Sequence, residues 1–147
     1  MPSDLEELVR RLGGEIIETR REVLTVKQAA EEMNVPEDLI IKTLVVMTPE
    51  GAVLAILDGR SRLSLSRLRG RLATPEEVRR ITGFEVGEVP PVGIPLRTFI
   101  DEKVLEKEFV YGGGGSKRRL IKISPRAIVE HQRAEVMDLR ECSRSPF

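Results

Sequence analysis

The apolar positions of the chain change period repeatedly, and each change marks an element. In "DLEELVRRL" the residues Leu5, Leu8, Val9 and Leu12 follow helical spacing. Ser3 and Glu6 form a capping box ahead of that helix, and Gly13-Gly14 stops it. "EIIET" predicts a short strand. Thr25 with Gln28 is a second capping box, opening "VKQAAEEM", which ends near Asn34 and Pro36. "LIIKTLVVM", residues 39–47, is apolar on both faces and is expected to be a central strand. "PEG" turns it, and "AVLAIL", residues 52–57, returns as an antiparallel neighbour.

Further along, "SLSRLRGRL" reads as a short basic helix. Thr74, Pro75 and Glu77 cap "PEEVRRIT", which Gly83 ends. Residues 84–95, "FEVGEVPPVGIP", hold too much glycine and proline for a helix or a central strand. "LRTFI" is a strand over 96–100, and "DEKVLEKE" a short helix or turn. "KEFVY" and "RRLIKIS" read as strands joined by the glycines at 112–115, with Leu120 and Lys122 alternating against Ile121 and Ile123. Ser124-Pro125 caps a last helix, "PRAIVEHQ", and residues 134–147 are expected to be a C-terminal tail. Strands mixed with helices through tight connections predict an α/β (α+β) fold, a mixed sheet packed with several short helices. The 147 residues are expected to form a single domain.

Composition narrows the chemistry. Lysine plus arginine equals aspartate plus glutamate, 24 each, so no whole-molecule field draws the chain to nucleic acid or membrane, and any anion binding must be local. No apolar run approaches the length of a membrane span, no signal peptide is evident, and a cytoplasmic setting is expected. Cys142 is the single cysteine, which excludes disulfides and cysteine-rich metal sites within one chain. His131 is the single histidine, which removes His–Cys triads and most zinc sites; neither residue reads as catalytic. Arginine-rich, amide-poor composition is one that growth at high temperature favours.

Three stretches could carry chemistry. Lys42 lies within an apolar strand. It is either a strand-end lysine whose stem packs while its ammonium reaches water, or a cation at the floor of a cleft. "GEVPPVG", Gly87 to Gly93, is a stiff loop, either a surface connection or a holder of backbone donors against a carbonyl. The run "YGGGGSKRRL" fails both nucleotide motifs it might imitate, because Lys117 stands where Walker A and the dinucleotide fingerprint each need a glycine. A strand rather than a helix follows it, so no helix N-terminus meets a phosphate there. Lys117, Arg118 and Arg119 are either a solvated hairpin tip or contacts to RNA phosphates. Asp101 reads as a cap for the segment after it.

The order of these signals carries more than any one of them. "IIKTLVV", an "ATPEEV" helix, "TGFEVGEVPPVG", then "FID" and a glycine-rich turn into "LIKISP" resembles the YbaK/EbsC-like aminoacyl-tRNA deacylases. These are free-standing relatives of the editing domain inserted in bacterial prolyl-tRNA synthetases. The resemblance covers residues 20–130, and its most specific parts are Lys42-Thr43, the G-x-x-x-P loop from Gly87 to Pro91, and the glycine turn.

The resemblance implies a hydrolase that cleaves the ester between a wrong, small amino acid, such as alanine or cysteine, and the 3′ end of tRNA-Pro. It implies no metal and no cofactor, with the aminoacyl-tRNA acceptor end as partner and prolyl-tRNA synthetase as a possible second one. Lys42 would anchor the terminal adenosine, and the loop from Gly87 to Pro91 would place backbone amides beside the scissile carbonyl. Thr43, Gly93, Gly113, Gly114 and Gly115 would bind substrate, and Lys117, Arg118 and Arg119 would meet tRNA phosphates. The attacking water would be activated with help from the tRNA's own ribose hydroxyl. Relatives that favour cysteinyl-tRNA tend to carry a serine in the glycine turn and an aspartate beyond it; here those positions are Gly113 and Leu120. Two other readings stand beside this one. One is a non-catalytic tRNA- or synthetase-binding module of the same fold, and the other is a hydrolase of free activated amino acids.

Overall fold

A computed structural model describes residues 4–141. Helix α1 (Asp4–Arg11) leads into strand β1 (Glu15–Glu18), and α2 (Val26–Met33) precedes the antiparallel pair β2 (Ile41–Thr48) and β3 (Gly51–Asp58). A single turn of helix, α3 (Leu65–Leu68), and a short strand, β4 (Arg71–Leu72), are followed by α4 (Pro75–Thr82). The second half holds β5 (Arg97–Asp101), β6 (Val110–Gly113), β7 (Arg119–Ile123), α5 (Pro125–Gln132) and β8 (Glu135–Met137). Ser3 of the expected first capping box, and Cys142, lie outside the described residues.

Helix starts follow the local chemistry. At α4, Thr74 accepts from the Glu77 amide at 3.2 Å while the Glu77 carboxylate accepts from the Thr74 amide at 2.8 Å. That satisfies two N–H groups the helix cannot pair for itself, and Pro75 at the first turn loses nothing by lacking one. Arg71 grips the same Glu77 carboxylate, and these hydrogen bonds hold its pKa down to about 2. Thr25 and Ser124 cap α2 and α5 by accepting from Gln28 and Ala127.

The strands make two sheets, an antiparallel β1-β7-β6 and a mixed β4-β2-β3-β5-β8, joined by a parallel bridge between Ile40 and Tyr111. β3 and β5 run parallel, as do β5 and β8. This is the mixed α/β architecture that the alternating periods predict.

Four local expectations give way to tertiary context. β3, not β2, is the middle strand of its sheet: it is buried from Val53 to Asp58, whereas the second edge of β2 meets only β4 and one bridge. The basic helix stops after one turn. Arg69 takes a left-handed φ of 53°, and Gly70 lies where a Cβ would fall 2.6 Å from the Met47 carbonyl, so the chain pairs with β2 as β4. Gly112 and Gly113 belong to strand β6 rather than to its turn. The stretch expected as a tail from residue 134 supplies β8 and the buried Leu139. The fully buried Asp101 holds that stretch in place. It caps Lys103 as expected and also accepts from the Leu139 amide at 2.7 Å and from Arg140 Nε at 3.2 Å.

Candidate active site

β2 is paired to β3 along one whole edge. Its other edge is covered at two points only. β6 bridges it at Ile40, and further on the Ala73 amide donates to the Val45 carbonyl at 2.9 Å where β4 joins. Along a strand the backbone groups of residues i and i+2 point to the same edge. Thr43, two before Val45, therefore turns its N–H and C=O toward the stretch left uncovered. A cavity of about 280 Å³ opens there. Because it sits at an edge, both faces of the strand line it: Ile41, Thr43 and Val45 from one, Lys42 and Leu44 from the other.

Lys42 is the only charged residue among the described residues that line this cavity, and the rest of the wall is mostly small and apolar. Its ammonium donates to the Ser61 carbonyl. Ser61 Oγ in turn donates to Asp58 Oδ2 at 2.6 Å, and the Arg60 amide to Asp58 Oδ1 at 2.9 Å. Asp58 is only 1% exposed, so these bonds repay a desolvation that an unpaired carboxylate could not sustain. Burial pushes the Lys42 pKa below the usual lysine value. The Asp58 carboxylate pulls it back up, and Arg62 adds to the depression.

Thr43 brings a second polar group. Its Oγ1 is buried and has no hydrogen-bond partner, the one such side-chain atom among the described residues. An orphaned hydroxyl costs about 1–3 kcal/mol, and Thr43 is the residue of this wall with hydrogen-bonding capacity left over.

The proline-rich loop and the glycine turn meet here. Gly87 is the third residue of a turn closed by the Glu88 amide on the Glu85 carbonyl at 2.9 Å, with the positive φ of 86° that such a turn requires. Across from it, a Cβ on Gly113 would stand 2.7 Å from the Val89 carbonyl. Glycine is needed there because the two backbones touch. Lys42, Thr43, Gly87 and Gly113 thus line one cavity.

The other expected site residues lie outside its lining. Pro91 is buried and packs toward Gly112, and the Gly93 amide is taken by Gln132 Oε1 at 2.9 Å. Gly115 donates to the Glu88 carbonyl at 3.0 Å, and Gly114 packs against Arg119 within its own turn. Gly115 thus pins the turn to the loop, while Gly93 ties the loop to α5. Of the cations, Arg119 pairs with Glu18 at 3.4 Å and Arg118 donates to the Arg20 carbonyl at 3.3 Å. The Lys117 side chain is exposed, beside the Val23 wall that its carbonyl holds at 2.7 Å.

Two features escape sequence reasoning. Asp58 and Ser61 reach Lys42 only through the register of β2 on β3. The rim of the cavity is also apolar: Leu24, Leu72 and Val86 line it while 57%, 49% and 55% exposed. Three separate segments supply them, so no local pattern joins them.

Residues 20–130 match the family described as the aminoacyl-tRNA editing domain. The proline–tRNA ligase of Thermotoga maritima is 32% identical over 99 residues, which are 62% of this chain and 17% of the ligase. That of Thermodesulfovibrio yellowstonii is 32% identical over 130 residues, 83% of this chain and 23% of the ligase. The chain thus spans about a fifth of these relatives' length. Among solved structures, a proposed trans-editing enzyme for prolyl-tRNA synthetase superposes with a TM-score of 0.84 at 34% identity, covering 95% of this chain and 99% of the other.

Proposed function

Because the chain belongs to the aminoacyl-tRNA editing domain family, we propose that it removes a wrongly attached small amino acid, alanine or cysteine, from the 3′ end of tRNA-Pro. As a family member it is an aminoacyl-tRNA deacylase; the tRNA, the amino acid and the residue roles are what we add. The observation that carries the reading is that Lys42, the one charged residue of the wall among the described residues, and Thr43, whose hydroxyl has no partner, line one apolar cavity.

The reaction asks little of the protein, since an aminoacyl ester is already activated. Water attacks the acyl carbon, and the carbonyl oxygen takes the displaced electron pair. Collapse breaks the bond to the ribose 3′ oxygen, which receives the proton the water gives up. The products are the free amino acid and a tRNA with an intact 3′ hydroxyl. Lys42 anchors the terminal adenosine, Thr43 hydrogen-bonds the substrate, and backbone N–H groups of the loop from Gly87 to Pro91 stabilise the oxyanion. The tRNA's ribose hydroxyl helps to deprotonate the water. No serine, cysteine or histidine lines the cavity among the described residues, which fits attack by water rather than by an enzyme-borne nucleophile.

The apolar walls favour an uncharged acyl side chain, each methylene discriminating by about 1–3 kcal/mol. The experiment is deacylation of alanyl-, cysteinyl- and prolyl-tRNA-Pro side by side. Turnover of a mischarged species with prolyl-tRNA spared is the expected result. Tight tRNA binding with no turnover of any of the three would favour a non-catalytic binding module.

A further inference from the structure

A second cavity, of about 440 Å³, is linked to the first by one hydrogen bond. Ser61 lines it, and the Ser61 carbonyl is the group that receives the Lys42 ammonium. The other lining residues are Arg60, Arg62, Lys103, Asp138, Arg140 and Glu141. Four cations and two carboxylates thus share the wall, in a chain whose formal net charge is zero. Cations collected in one place on a neutral chain mark a local anion site.

The pairing pattern sharpens this. Arg140 is already committed, to Asp101 at 3.1 Å, Glu102 at 3.3 Å and Asp138 at 3.3 Å, and Asp138 is further approached by Arg67 at 3.8 Å. Arg62 and Lys103 make no side-chain hydrogen bond or ion pair among the described residues, and Arg60 acts on the Asp38 carboxylate only through space, although the three border the cavity together. Their backbone is held firmly. The Ser64 amide donates to the Leu139 carbonyl at 2.7 Å and the Glu141 amide to the Arg62 carbonyl at 2.9 Å, with a bridge between Leu63 and Arg140. The turn of Arg60 is tied to buried Asp58. Of the sequence-predicted phosphate contacts at 117–119, by contrast, two have their side chains engaged within the protein.

We propose that Arg60, Arg62 and Lys103 form a separate binding site for the sugar-phosphate backbone of an RNA strand leading to the cavity of Lys42. No aromatic side chain lines the site, so it has no platform for stacking a base and suits phosphates without reading sequence. The inference rests on the tRNA reading above only for the identity of the strand.

The test is binding of uncharged tRNA-Pro to the full chain by fluorescence anisotropy across a salt series, for the wild type, Arg62→Ala/Lys103→Ala, Lys117→Ala and Arg126→Ala. Arg126 is exposed on α5 and lines neither cavity, so it controls for bulk charge. The double variant is expected to bind about tenfold more weakly at moderate salt, with the slope of log affinity on log salt shallower by about 1.4–1.8 for two lost phosphate contacts. Near-wild-type behaviour is expected of Arg126→Ala. An unchanged slope in the double variant, a loss equal to that of Arg126→Ala, loss confined to Lys117→Ala, or no measurable tRNA binding by the wild type would each overturn the proposal. Unfolding midpoints check that the double variant is folded; if it is not, Arg60→Gln and Lys103→Gln carry the same readout singly. The two proposals fail separately: cation-dependent binding without deacylation counts against the editing reaction, and deacylation with an unchanged slope counts against this site.

Discussion

The Lys42 ammonium donates to the Ser61 carbonyl, and Ser61 is itself fixed by the buried carboxylate of Asp58. The cation is therefore aimed by a turn that never enters the cavity. In the role proposed for it the charged form acts, and burial lowers its pKa, so the charge is lost on the alkaline side at a pH below that of an ordinary lysine. The alkaline limb of kcat/KM, after subtraction of spontaneous ester loss, is expected to reflect this. Asp58→Asn removes a negative charge that raises the pKa and should move the limb to lower pH. Arg62→Ala removes a positive charge that lowers it and should move the limb the other way. A limb that stays put in both variants would detach Lys42 from the pH profile.

Thr43→Val separates stability from function. The exchange keeps the branched shape and deletes a hydroxyl that has no partner in the folded protein. Stability should rise by about 1 kcal/mol, because a buried unsatisfied group is lost. Deacylation should fall, because the substrate loses its bond. Urea unfolding and kcat/KM measured on the same preparation read both effects.

Gly113 and Gly87 are glycines for different reasons, and alanine should reveal it. At Gly113 the new Cβ meets the Val89 carbonyl at 2.7 Å, so the loop must shift; about 1–3 kcal/mol of stability and most turnover should go together. At Gly87 the nearest atom is 4.0 Å away, and the cost is the positive φ alone, about 1 kcal/mol. Paired unfolding midpoints for the two variants distinguish crowding from conformational strain.

What could be read from sequence divides along sequence distance. Caps at Thr25, Thr74 and Ser124 were legible because capping is a contract between residues three apart. β2 looked central because its own residues are apolar, but which strand occupies the middle depends on β5 pairing with β3, more than forty residues on. The strand hidden in the expected tail is short and weakly patterned; Asp101 holds it there, across a separation of 38 residues to Leu139. In the cavity, Lys42, Thr43, Gly87 and Gly113 could be named from the family pattern. The same pattern points to the glycines at 93, 114 and 115, yet none lines the cavity: Gly115 fastens the turn to the loop, Gly93 ties the loop to α5, and Gly114 packs within its own turn. Asp58 and Ser61 could not be named, since only the pairing of Lys42 with Leu57 brings that turn to the ammonium.

The most direct measurement is single-turnover deacylation of alanyl- and cysteinyl-tRNA-Pro by the wild type and Lys42→Ala, with prolyl-tRNA-Pro as control. Selective hydrolysis by the wild type is expected, with a loss of about 10²–10³ in rate in the variant, the usual cost of removing one preorganised electrostatic group. Equal rates in the two proteins, or wild-type hydrolysis of prolyl-tRNA as fast as of the mischarged species, would contradict this expectation.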